Sequence, residues 1–215
     1  MAYPPFPWKL QIQGVMLQTL QLVDVERVRG TVPSGIRIVP VISGRTVGGI
    51  YFATYGPGSD LEYHELGVFS ALVRYGRQYG MWVSNMYVDN PDSVAAAREC
   101  MGLPKDMGEF NIESGNVNKV SVTSQGRPIC TITYGRQYYV WRRGASGGII
   151  AVRDGEVMRF RGEFALRPGI TRAKVDIPPE SPIYHLGLDH PAITLCGKDA
   201  TAVLGVDLQA VGRLQ

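Results

Sequence analysis

The sequence predicts an α+β domain dominated by β-structure, and three observations carry that reading. Short runs of β-branched and aromatic residues recur along nearly the whole chain, separated by Gly, Pro and Asp/Asn turns, the pattern of a sandwich or a barrel. Only two segments carry helix start and stop signals. No internal repeat, low-complexity stretch or linker interrupts the 215 residues, so residues 1–215 read as one domain.

Taken in order, residues 15–23 form the first predicted strand, and Asp24 then caps a short helix over 25–31 that Pro33 ends. Strands are expected at 37–42, 46–54, 61–73 and 82–88. The second helix spans 91–101, with Asn90 as cap, Pro91 in its first position and Gly102 just past its end. Val94, Ala97 and Met101 line one face of it and would pack on the sheet. The remaining strands are expected at 119–123, 128–133, 137–141, 149–152, 157–166, 173–177 and about 202–207, with turns at Ser124-Gln125-Gly126 and Asp154-Gly155.

Composition excludes several classes. The 22 basic and 19 acidic side chains nearly cancel and are scattered, whereas a nucleic-acid binder would show a basic stripe or platform. Cys100, Cys130 and Cys196 form neither a disulfide framework nor a metal knuckle. No apolar run is long enough to span a membrane, and residues 1–8 lack a secretory pattern. A cytoplasmic protein without nucleic-acid or membrane partners is the expectation. His64 and Glu65 alternate on a strand, and His185 and His190 lack further ligands at useful spacing, so no metal site is expected.

The chemistry-bearing candidates lie in two places. On the strand at 61–73, alternation puts Tyr63, Glu65, Gly67, Phe69, Ala71 and Val73 on one face and Glu62, His64, Leu66, Val68, Ser70 and Leu72 on the other. Glu65 is thus an ionisable group among apolar neighbours, where a carboxylate needs a partner or a proton. After the second helix the chain runs Leu103-Pro104-Lys105-Asp106-Met107. Pro104 stiffens the entry to Lys105. Burial disfavours an ammonium ion, and a free amine can attack a ketone to form an iminium, an electron sink for breaking a neighbouring bond. Spacing alone fits a lysine that complements the helix dipole and nothing more. Only Lys9, Lys105, Lys119, Lys174 and Lys198 are lysines, so amine chemistry has few candidates.

Tyr87-Val88-Asp89-Asn90, then Ala96-Ala97-Arg98-Glu99, then Gly102-Leu103-Pro104-Lys105 resembles the "YVD…GRE…GxPK" segment of the acetoacetate decarboxylase family, which ends on a Schiff-base lysine. Tyr63-His64-Glu65 followed by Arg74-Tyr75-Gly76-Arg77, and the 25–33 segment with its Val-Pro end, are also similar to that family. The resemblance covers about the first half of the chain. It implies a cone-shaped, mostly antiparallel closed barrel with a few flanking helices and an oligomeric assembly. It assigns Lys105 as the Schiff-base lysine and Glu65 as the carboxylate beside it, with no organic cofactor and no metal.

Two departures bear on the substrate. Asp106 stands where the decarboxylases have a second lysine, and Gly14 stands at the position counted for their substrate-binding arginine. Without that cation a small β-keto acid loses its charged anchor. Arg37 or Arg142 is a candidate replacement, Gln11, Gln13 and Gln18 are candidate hydrogen-bonding residues for an uncharged substrate, and Tyr63 is a further candidate substrate-binding residue. The expected function is a Schiff-base lyase on a ketone or keto acid other than acetoacetate, with Lys105 and Glu65 catalytic and a place in secondary metabolism. The alternative is a non-covalent cyclase or isomerase, or a small-ligand-binding protein, on the same scaffold.

Overall fold

In the computed structural model, which describes residues 3–214, one long strand pair organises everything else. Strands β1 (Trp8–Asp24) and β12 (Ile193–Arg213) run antiparallel at the centre of the sheet. β3 (Arg45–Gly56), β4 (Tyr63–Tyr75) and β5 (Gln78–Val88) continue from β1, while β11 (Glu156–Asp176) continues from β12. β10 (Arg143–Arg153) pairs β11 along one edge and β5 along the other, so the sheet closes into a ring. The fold is the mostly antiparallel closed barrel that the resemblance implied, and its β10–β5 seam is parallel and short, Ile149 against Met81 and Ile150 against Trp82.

Past the end of its pairing with β10, β11 turns its edge to β9 (Arg127–Tyr139), which leads to β8 (Asn118–Ser124) and β7 (Glu109–Glu113). This branch covers the ring from outside. The apolar residues Leu17, Ile50, Leu66 and Val68 from the ring meet Val120, Val122 and Ile132 from the branch in one packed core. Val25 and Val28 of the first helix, α1 (Val25–Val28), join the same core.

Several expectations change in length. The segments at 128–133 and 137–141 are one strand, β9, and those at 157–166 and 173–177 are one strand, β11. Repeated register shifts between β11 and β12 are bulges, which let a strand bend through turn-like residues without ending. β1 likewise starts at Trp8 and passes through Gly14, whose φ of +66° sits at a register shift between Ile12 and Met16. The 37–42 strand shrinks to β2 (Arg37–Ile38). The turns at Gln125-Gly126 and Asp154-Gly155 have positive φ at both residues, as tight hairpins with the native twist require.

The second helix starts as expected. Asn90 accepts from the backbone N–H groups of Asp92 and Ser93 at 2.9 and 3.2 Å, and α2 (Pro91–Ala96) follows. Its last turn, Ala97–Met101, widens to π geometry and ends on Gly102 at φ +72°. Ala97 and Met101 are buried as foreseen, joined by Ser93 and Ala96, while Val94 is half-buried. Among the described residues, no helix is long and apolar enough to cross a membrane.

Candidate active site

Lys105 reaches the barrel interior through a chain of local constraints. Gly102 in the left-handed region lets the Leu103 N–H return to the Ala97 carbonyl at 3.1 Å. A Cβ at Gly102 would stand 2.4 Å from the Val152 carbonyl oxygen, so glycine is required both for φ and for space. Pro104 is then the centre of a three-residue turn closed by the Lys105 N–H on the Leu103 carbonyl at 2.9 Å, a turn that suits its locked φ. The chain enters β6 (Lys105–Met107), which adds parallel to the free edge of β5 with Lys105 beside Met86. Arg98 holds this short strand from the π turn. Its Nε donates to the Lys105 carbonyl at 2.7 Å and its Nη2 pairs with Asp106.

Inside, Lys105 Nζ lies 2.8 Å from Glu65 Oε2 and 2.9 Å from Ser93 Oγ. Lys105 and Glu65 are only 3% and 4% exposed, so the pair is out of solvent and each charge depends on the other. The Tyr63 ring lies against the ammonium, its centroid 4.8 Å from Nζ. On the far side of Glu65, Oε1 accepts from the Tyr55 hydroxyl at 3.3 Å, and the Tyr55 and Tyr51 hydroxyls are 3.0 Å apart. Burial first, and then the Glu65 charge, raise the phenols of Tyr51, Tyr55 and Tyr63 above their ordinary value. They remain protonated donors at neutral pH.

This polar chain forms the floor of a cavity of about 450 Å³. The floor is buried, with Trp8, Tyr55 and Phe160 almost fully enclosed. At the opposite end, Gln18 and Leu20 are half-buried and residues 143–147 of β10 are exposed. The mouth therefore lies where β10 runs past its short pairing with β5. Between floor and mouth the wall is Met16, Met81, Phe69, Phe164 and similar apolar groups.

The structure brings Lys105 and Glu65 together, places Gln18 on the cavity wall toward the mouth, and leaves the other candidates outside the cavity. Tyr63 backs Lys105 with its ring and is not among the lining residues. Gln13 is exposed at the Gly14 bulge, its chain lying against Gly56, because alternation turns it away from the inward Ile12. Arg37 is exposed on β2, paired with Arg74 outside the ring. Arg142 is tied to the Asp199 and Ala165 carbonyls at 2.7 and 3.2 Å. The cavity face of β1 is supplied by Trp8, Met16, Gln18 and Leu20, so that strand contributes no cation. His64 faces away from Glu65 and pairs with Asp89 at 2.6 Å. Among the described residues no group of three or more His, Cys, Asp or Glu is placed to hold a metal.

Three members of the site were missed. Tyr51 and Tyr55 stand four apart on a strand and so share the inward face, a signal present in the sequence. Ser93 had none, because its role depends on how α2 docks over β6.

The family model described as acetoacetate decarboxylase (ADC) matches residues 1–160. The chain belongs to the acetoacetate decarboxylase family. It is also 27% identical over 111 residues to Protein NEOXANTHIN-DEFICIENT 1 of Solanum lycopersicum, a match covering 52% of this chain and 37% of that protein. The rice relative of the same name, from Oryza sativa subsp. japonica, is 28% identical over 105 residues, 49% of this chain and 34% of that one. The chain thus spans about a third of the length of these curated relatives. Among solved structures, acetoacetate decarboxylase from Legionella pneumophila superposes with a TM-score of 0.80 at 14% identity, covering 99% of this chain and 90% of that one. The enduracididine biosynthesis enzyme MppR, complexed with the condensation product of pyruvate and imidazole 4-carboxaldehyde, gives 0.65 at 11% identity over 97% and 90% of the two chains. An acetoacetate decarboxylase-like enzyme from Sphingomonas wittichii RW1 gives 0.62 at 13% identity over 96% and 92%. At these identities the likeness is one of fold.

Proposed function

We propose that this family member is a Schiff-base lyase acting on a carbonyl compound other than acetoacetate. The observation that carries the reading is a buried lysine 2.8 Å from a buried carboxylate at the floor of an apolar cavity. Glu65 takes a proton from the Lys105 ammonium, and the freed amine adds to the substrate carbonyl carbon. The carbinolamine loses water with a proton returned by Glu65, leaving a cationic iminium. That cation accepts the electron pair of an adjacent bond as it breaks, and hydrolysis of the resulting enamine frees Lys105. Tyr55 donates to Glu65 from the other side and so holds the carboxylate in place for both proton transfers. The absence of a cation on the cavity face of β1 speaks against simple decarboxylation of a small keto acid.

One observation favours a non-covalent reading. Lys105 is already held by Glu65, Ser93 and the Tyr63 ring, which is also how a purely structural lysine is kept. A binding protein, or an isomerase working by shape, would use the cavity without an adduct. Borohydride trapping with a panel of ketones, aldehydes and keto acids, read by intact mass and peptide mapping, separates the two. A reduced adduct on Lys105, absent from Lys105→Met, is the expected result. Turnover or tight binding across the panel with no adduct selects the non-covalent reading.

A further inference from the structure

The cavity carries information about its ligand beyond the presence of a lysine, and three inventories point the same way. The first is charge. Among the described residues, the charged groups lining the cavity are Glu65 and Lys105 at the floor and Arg143 at the mouth. The floor is therefore already neutral as a pair. A carboxylate one or two bonds from the reacting carbonyl would be carried to the floor with it. There it would face Glu65 with no second cation, and stripping water from an unpaired anion costs several kcal/mol.

The second inventory is hydrogen bonding. Apart from Lys105 itself, the donors at the floor are the Tyr51 and Tyr55 hydroxyls, which suit one carbonyl or hydroxyl oxygen. The third is length and surface. The lining residues of β11 run from Phe160 to Gly169, along a strand that bends through bulges over this span. The apolar lining includes Met16, Met81, Met86, Met101, Phe160 and Phe164. Methionine is flexible and polarisable and adapts to irregular hydrocarbon. The volume, about 450 Å³, is that of a site for a ligand well beyond a few-carbon acid.

Building on the Schiff-base reading, we propose that the cavity takes a ketone or aldehyde with an extended hydrocarbon body, and not a keto acid. The carbonyl sits at Lys105 within reach of Tyr51, and the tail runs along the methionine and phenylalanine wall toward residues 143–148. With no carboxylate next to the carbonyl there is no carbon dioxide to lose. For a β-hydroxy ketone the iminium then serves retro-aldol cleavage. The hydroxyl proton passes to Glu65, the hydroxyl oxygen becomes an aldehyde, and the carbon–carbon electron pair moves into the enamine. The enamine takes back a proton, and water hydrolyses the iminium to a shortened ketone.

The test is a length series of 2-alkanones against 2-oxo and 3-oxo acids of matched length. Binding is measured by calorimetry on the native protein and on Lys105→Met, and borohydride adducts are mapped in parallel. Affinity for the alkanones should rise about threefold to fourfold per methylene until the cavity fills. The matched oxo acids should bind at least tenfold more weakly, and Lys105→Met should keep both trends. Affinity independent of chain length, or oxo acids binding as well as alkanones, overturns the inference. The native-protein series decides this even where the variant does not fold. A length-dependent series that leaves no adduct on Lys105 supports the ligand class and removes the Schiff-base reading. An adduct formed only with short keto acids keeps that reading and removes the ligand class.

Discussion

Strand β4 has two interiors. On one face Leu66 and Val68 sit fully enclosed between the ring and the β8–β9 branch, in a core closed by aliphatic side chains. On the other, Glu65 and Phe69 face the cavity, with Tyr63 packed behind Lys105. Both faces are buried; alternation holds from Tyr63 to Phe69, after which a bulge turns Ala71 and Val73, expected beside Glu65, into the core with Leu66 and Val68. What differs is what covers them. A second sheet layer fills one side, whereas the other is covered only by the far wall of the ring, which leaves room for a ligand and forces the polar groups there to satisfy one another. Burial by itself therefore does not distinguish a core from a site. The distinction lies in whether the opposing surface is in contact.

If the two faces are as different as this, substitutions on them should fail in different ways. The largest effect belongs to Lys105→Met, which should abolish borohydride trapping while the protein stays folded by circular dichroism. Glu65→Gln should follow, slowing adduct formation 10²–10⁴-fold, the usual range for loss of a positioned proton carrier. Its signature is a changed pH–rate profile for trapping with saturating ketone. An unchanged profile would make Glu65 a mere packing partner. On the other face, Leu66→Ala should cost about 2–5 kcal/mol in denaturant unfolding, with trapping per folded molecule intact. Loss of trapping in the folded fraction would erase the contrast drawn between the faces.

Gly102→Ala sharpens the comparison because it touches neither face. The left-handed backbone costs about 1–2 kcal/mol, and the close approach to Val152 adds to it. The displaced turn should also move Lys105, so stability and trapping should fall together, in contrast to Leu66→Ala. The smallest effect is on the sealed side. Burial pushes the Cys130 thiol up from 9.0 to about 12, with Asp176 adding a little. The folded state therefore holds that proton more tightly than the unfolded chain does. The associated stability is complete below pH 9 and is lost as pH rises toward 12. Replacing Cys130 by Ala should flatten that part of the stability–pH curve, as read by urea midpoints across the range.

How much of this was legible beforehand varied with the range of the interaction. The caps at Asp24 and Asn90, the stop at Gly102 and the two Gly-containing hairpins are set by neighbours within a few residues, and all stand where the sequence put them. Strand lengths were misread wherever a bulge carried the chain through a turn-like residue, as at Gly14 and between Leu166 and Ala173. Gln13 and Arg37 were drawn toward the cavity because their types suit a ligand, yet strand parity and an outer edge strand place both outside. Tyr51 and Tyr55 were available from spacing and passed over.

By itself the sequence determined the β-dominated class, the capped helix that ends at Gly102, the stiff Leu103-Pro104 approach to Lys105, and Glu65 as a carboxylate on an apolar strand. These follow from backbone preference and local periodicity, which act over a few residues. Only the tertiary structure decided that Lys105 Nζ stands 2.8 Å from Glu65 and 2.9 Å from Ser93, and that one face of β4 opens on a cavity while the other is sealed. Those outcomes depend on ring closure between β10 and β5 and on the β7–β9 branch folding over the outside. Both are long-range pairings whose geometry no single stretch of sequence contains.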